Sequence, residues 1–246
     1  KLRHPSPSNS SGWRATWKET ARGYRLSMLS GVDKVEASHG PGQETFSELG
    51  RRVRYVDAVN EGQDVSSTFV ALHEPRGPDG AFPVAGAELL DLPPNAGPGA
   101  VAVKIRSNWG SYLLLADVDH ETAVEGVTFE GKFGLFKTHP DGRQSLVASG
   151  ARTLQKGDFG FRGESPRWSG QIDDCGEEQF TPGTPMPEGF PAKVPQFCQN
   201  YLLVDWGEYV TGYAVGELSK DRINVLRFPL DNPRRFDLPA LRVLRE

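Results

Sequence analysis

The stretch GVTFEGKFGLFKTHPDGRQSLVAS, residues 126–149, decides the fold. Val127 and Phe129 alternate with polar partners, and Phe133 and Leu135 repeat the alternation two positions at a time. A period of two places apolar side chains on one face of a strand. HPDGRQ then supplies a proline, an aspartate and a glycine in succession, a turn signal between two apolar runs. The stretch therefore reads as an antiparallel hairpin, and the rest of the chain repeats its grammar.

Working outward, GYRLSML alternates Tyr24, Leu26 and Met28 against polar residues. VRYVDAV, STFVALH and GAVAVKIR follow, the last with Val101, Val103 and Ile105 on one face. SYLLLADV is continuously apolar, and TLQKGDFGF, YLLVDWG, YVTGYAVGEL and RINVLRFPL complete the series. Glycine, aspartate or proline punctuates nearly every gap. Many short strands at such spacing predict an all-β protein, an antiparallel β-sandwich of stacked sheets. ETFSELGRRVRY carries Phe46, Leu49 and Val53 at helical spacing, interrupted by Gly50, and predicts at most a turn or two of helix. Residues 164–199 hold many prolines and predict a long irregular insertion. The expected organisation is a β-sheet domain over 1–163, the insertion over 164–199, and closing strands of the same domain over 200–246.

The 246 residues carry a formal charge of −4, which disfavours general nucleic-acid binding. No run reaches the ~18 apolar residues of a membrane helix. The opening KLRHPSPSNSSG reads as loop and contains a glycosylation triplet at Asn9. The two cysteines, Cys175 and Cys198, both lie in the expected insertion, where either a disulfide or two free thiols is compatible with the sequence. Neither belongs to a CxxC pair, so no zinc site is expected.

Candidate chemistry is sparse. His73-Glu74 is followed at once by Pro75, which rules out the helical His-Glu-x-x-His of a zinc protease. The residues read instead as a strand end and its exit turn. His39, His120 and His139 sit in turn-like settings. His120 lies among Asp117, Asp119 and Glu121, where a cation is conceivable, although the calcium-loop pattern is absent. No metal or cofactor is expected. No nucleophile elbow, phosphate loop or dinucleotide fingerprint occurs. Trp13, Trp17, Trp109, Trp168 and Trp206 all lie near expected loops or strand ends, and aromatic faces of this kind stack on sugar rings. Core packing is the alternative reading for each. Trp168, in the insertion, is expected to be the most exposed. Arg51, Arg52 and Arg54 could face a polyanion or form a solvated strand face.

The order of segments carries one resemblance. GWRATWKETARGYRLSML, then RRVRYVDAVNEGQDVSSTFVALHEPRG, NWGSYLLLADVD and VTFEGKFGLFKTHPDGRQSLVASGARTLQKGD together resemble the C-terminal β-sheet region of heparinase II/III-like polysaccharide lyases. Residues 66–77, 109–119 and 127–158 carry the match, and VTGYAVGELSKDRINVLRFPL resembles the family's closing strands more loosely. The resemblance implies β-elimination on uronate glycans outside the cytoplasm, extracellular or periplasmic. It implies an N-terminal α/α toroid, in the same or a companion chain, that completes the cleft. In that family a tyrosine and histidine move the protons while a neutralising group holds the carboxylate. No catalytic residue of this chain is assigned through it, and the chain alone is expected to be inactive. The implied partner is an acidic polysaccharide. Two other readings stand beside it, a non-catalytic carbohydrate-binding β-sandwich and a cell-surface interaction domain.

Overall fold

The computed structural model describes residues 12–18, 23–41, 52–77, 79–176, 178–191, 201–205, 210–219, 221–225 and 235–245. The all-β antiparallel class holds: every sheet pairing described is antiparallel. The chain forms two compact units, Lys1–Leu89 and Leu90–Glu246. The boundary therefore falls inside the stretch 1–163 that the sequence reading kept together.

The first unit holds β1 (Arg14–Lys18), β2 (Gly23–Met28), β3 (Lys34–Pro41), β4 (Arg52–Val59), β5 (Ala71–Pro75) and β6 (Val84–Leu89). β1, β2 and β5 form one sheet in that order, and β3 and β4 form a separate hairpin. Trp13, Ala15 and Met28 make a small core, against which Val35, Val56 and Ala58 of the hairpin pack. Val53 to Tyr55 lie in β4, so the end of the expected helical turn is strand instead; residues 42–51 lie outside the described residues. β5 begins at Ala71 rather than Ser67, which places His73 and Glu74 inside the strand and not at its exit.

The second unit opens with a 3-10 turn, Pro94–Ala96, and a meander of β7 (Val101–Ser107), β8 (Gly110–Val124), β9 (Val127–Thr138), β10 (Gln144–Lys156) and β11 (Phe159–Phe161). The opening stretch forms β9, the turn and the start of β10, with Thr138 opposite Gln144. Glu125 and Gly126 both have positive φ, 53° and 76°, between the paired Val124 and Val127. That is the two-residue turn whose twist matches a hairpin, and it favours glycine at its second position. The buried Leu115, Val127, Phe129, Phe136, Leu146 and Leu154 form the sheet's core.

The long strands bend together. β8 slips register between Val118 and Thr122, and β10 between Ala151 and Thr153. Gly131, on the strand between them, has φ 148°, and a Cβ there would lie 2.4 Å from Ala151 Cα. Bulges of this kind bend a sheet and raise its twist.

The remaining strands are β12 (Arg167–Cys175), β13 (Gln179–Pro182), β14 (Tyr201–Asp205), β15 (Val210–Leu218), β16 (Ile223–Val225), β17 (Arg235–Pro239) and β18 (Leu241–Arg245). The first six close into a barrel, ordered β12-β13-β16-β15-β14-β17. Its core holds Trp168, Phe180, Leu202, Val204, Ile223 and Leu238. β18 instead pairs with β10 of the meander. Two sequence expectations are corrected here. Residues 164–199 contain two barrel strands, and of the closing strands only β18 returns to the sheet. Prolines did not forbid the ladders because they flank them: Pro166 precedes β12 and Pro182 is the last residue of β13.

Arg242 ties the barrel to the sheet. Its guanidinium donates to Ala151 O at 3.3 Å, Ser165 O at 3.1 Å and Gly189 O at 2.9 Å, and lies 4.9 Å over the Phe161 ring. Burial lowers its pKa, with Glu164 opposing the shift.

Candidate functional site

The sheet β1-β2-β5 has two faces, fixed by its register. Trp17 stands opposite Tyr24, Tyr24 opposite Pro75, and His73 opposite Leu26. Side chains directly opposite share a face, and diagonal neighbours are within reach of aromatic rings. Trp17, Tyr24 and His73 therefore form a row on one face. The Trp17 and Tyr24 rings are 5.7 Å apart and tilted by 56°, and so are the Tyr24 and His73 rings. The Tyr24 hydroxyl and His73 Nδ1 share a hydrogen bond whose direction follows the imidazole tautomer. His73 is exposed, while Trp17 and Tyr24 are half-buried, and Trp17 packs against the core of Trp13, Ala15 and Met28.

Glu74, one residue on, points to the opposite face and has a different role. It stands opposite Arg25, whose Nε donates to Glu74 Oε2 at 2.6 Å. Glu74 Oε1 accepts from the Val84 amide at 2.7 Å, and Arg25 Nη2 donates to Val84 O at 2.9 Å. The Arg25 guanidinium also lies 4.5 Å over the Phe82 ring. Glu74 is 2% exposed. Its charge is matched and both oxygens are occupied, which fits a structural carboxylate.

The other tryptophans divide. Trp168, expected to be the most exposed, is 0% exposed in the barrel core, its Nε1 donating to Thr184 O at 2.9 Å. Trp13 is 5% exposed, and its Nε1 has no hydrogen-bond partner. Both rings are buried, Trp168 in the barrel core and Trp13 in the small core of the first unit. Trp109 is 59% exposed at the tip of the β7–β8 turn, its amide donating to Ser107 Oγ at 3.0 Å. Trp206 lies outside the described residues.

Two of the acidic residues around His120, Asp117 and Glu121, have separate partners. Lys132 pairs with Asp117 at 3.1 Å, and Arg162 forks onto Glu121 through both Nε, at 2.9 Å, and Nη2. Among the described residues no three His, Cys, Asp or Glu side chains converge on a metal-sized point. His139 Nε2 is 3.1 Å from Ser145 Oγ within its turn. The side chains of His39, Arg51, Arg52 and Arg54 lie outside the described residues. Cys175 is a free thiol, its pKa raised first by burial and then by Asp174; Cys198 lies outside the described residues.

The Trp17–Tyr24–His73 row was legible only in part. Local sequence shows Trp17 as an aromatic ring, Tyr24 as one of the alternating residues of a strand and His73 as a strand end. The signal that joins them is the pairing of β2 with β5, forty-odd residues apart, which no local pattern encodes. Comparison with protein-family models, with curated proteins and with solved structures finds no match to this chain.

Proposed function

We propose that the chain is the β-sheet portion of a heparinase II/III-like polysaccharide lyase and that the Trp17–Tyr24–His73 row receives the glycan. The observation that carries this reading is the row itself: three rings in a line, half open to solvent, ending in a titratable group that is hydrogen-bonded to a phenol. A sugar presents a C–H face that lies on aromatic rings and a rim of hydroxyls that bond to polar tips. The resemblance of residues 66–77, 109–119 and 127–158 supports a uronate glycan as the partner and an α/α toroid as the remaining wall of the cleft. In this reading the sheet supports and lines the cleft, and the isolated chain does not turn over substrate.

A second reading, a non-catalytic carbohydrate-binding module, uses the same row. Titration with alginate, heparan sulfate, chondroitin sulfate and hyaluronan tests both. Binding that weakens in Trp17→Ala supports glycan contact. A rise in the ultraviolet absorbance of unsaturated uronate when a toroid-bearing chain is added favours the lyase portion over the simple module. Absence of binding to all four glycans overturns both.

A further inference from the structure

A groove of about 620 Å³ runs along the outer face of the barrel. Its walls follow from register. Ser169 stands opposite Asp237, Asp237 opposite Leu203, and Leu203 opposite Gly212, one line across β12, β17, β14 and β15. Alternation sends Trp168, Leu202 and Val204 into the core and leaves Arg167, Ser169 and Gln171 on the outer face of β12 and Tyr201, Leu203 and Asp205 on that of β14. One wall is therefore polar and the other largely apolar, with Asp205 at its end.

The apolar wall is open. Leu203 is 43% exposed, Val210 63%, and Tyr201, beside them, 51%. Gly212 keeps the floor flat: a Cβ there would lie 3.8 Å from both Leu203 Cδ2 and Tyr201 Cδ1. The polar wall is largely uncommitted. Ser169 and Gln171 are exposed, and among the described residues neither side chain makes a hydrogen bond. Arg167 Nε and Asp237 Oδ1 form an ion pair at 3.5 Å, and that oxygen is buried with no hydrogen-bond partner among the described residues.

We propose that this groove binds a neutral saccharide, with a sugar ring laid against Leu203 and Val210 and its hydroxyls bonded to Ser169, Gln171 and Asp237. A pyranose is amphipathic in the same sense as the groove, with C–H bonds on one face and hydroxyls on its rim. Those hydroxyls both donate and accept. The wall answers with donors on Arg167 and Gln171, acceptors on Asp237 and Gln171, and a serine hydroxyl that does either. A purely apolar ligand would strand these groups without partners. An anionic sugar is disfavoured because Arg167 is already matched by Asp237. The inference does not depend on the aromatic row and stands if that row binds nothing.

The test is a titration of the full ¹⁵N-labelled chain with cellotriose, maltotriose, mannotriose and a uronate trisaccharide, following backbone amides. At least one trisaccharide is expected to give saturable shifts at Ser169, Gln171, Leu203 and Gly212. Ser169→Ala and Leu203→Ala, both at exposed positions, are each expected to weaken that binding by about tenfold, the scale of one lost hydrogen bond or apolar contact. Arg143→Ala, on the exposed turn between β9 and β10, is expected to leave it unchanged. The proposal is overturned if no trisaccharide gives saturable shifts, if both barrel substitutions leave the affinity unaltered, or if the groove responds only to a uronate oligosaccharide.

Discussion

Arg25 and Glu74 stand directly opposite each other across β2 and β5, and the guanidinium Nε donates to the buried carboxylate at 2.6 Å. His73 and Glu74 are adjacent in sequence yet serve opposite faces. The glutamate fastens the segment at Val84 to the sheet, and the histidine completes the half-open aromatic row. Removing the carboxylate leaves the Arg25 charge uncompensated on the covered face, where its side chain is only 14% exposed. Glu74→Ala is therefore expected to destabilise the chain by about 3–5 kcal/mol, and Glu74→Gln by less. Urea denaturation of the two variants checks this. Wild-type stability in Glu74→Ala would remove the carboxylate's structural role.

Trp168 and Trp109 give opposite expectations. Trp168→Ala empties a filled barrel core and is expected to cost about 3–5 kcal/mol, whereas Trp109→Ala, on an exposed turn, should stay within about 0.5 kcal/mol. Thermal melts of the two variants decide the point. Equal losses would place Trp109 in a contact that its exposure does not allow.

The contrast between these two residues shows what the sequence conveyed and what it did not. Hairpins such as 126–149 were legible because period-two alternation and turn chemistry are local. The barrel was not, because its closing pair, Trp168 opposite Leu238, spans some seventy residues and a run of prolines. Proline content reads as irregularity, although Pro166 and Pro182 sit at strand ends where a missing amide donor costs nothing. Tyr24 and His73 were each visible as residues and invisible as a pair for the same reason. The outward groove of β12 and β14 was also hidden, since exposed leucine and valine on a strand read locally as core.

The coordinated bend rests on Gly131. Gly131→Ala would drive a Cβ into the Ala151 backbone, and a cost of roughly 1–3 kcal/mol is expected. Gly142→Ala, at φ 90° with nothing within 4 Å of the new Cβ, carries only the backbone term of about 1 kcal/mol. Chemical denaturation of both separates steric conflict from φ strain. A loss in Gly131→Ala no larger than that in Gly142→Ala would mean that the close approach of β9 and β10 relaxes freely.

Cys175 has a predictable pH dependence. Burial, and secondarily Asp174, raise its pKa above the ordinary thiol value, so the folded chain holds this proton to higher pH than the unfolded chain. The sign follows: above the unfolded thiol's pKa, stability from this group is lost as pH rises. Iodoacetamide alkylation in a Cys198→Ser background is expected to be slow at neutral pH and to accelerate only in the alkaline range. Asp174→Asn should shift that rise to lower pH. Fast alkylation of the folded chain at neutral pH would contradict the assignment.

The most direct test of the central claim is calorimetric titration of the chain with oligosaccharides of alginate and heparan sulfate, comparing wild type with Trp17→Ala. Saturable binding of at least one, weakened by about tenfold or 1.4 kcal/mol in the variant, is the predicted result. No saturable binding to either, or binding that Trp17→Ala leaves unchanged, would contradict the assignment of the Trp17–Tyr24–His73 row to glycan.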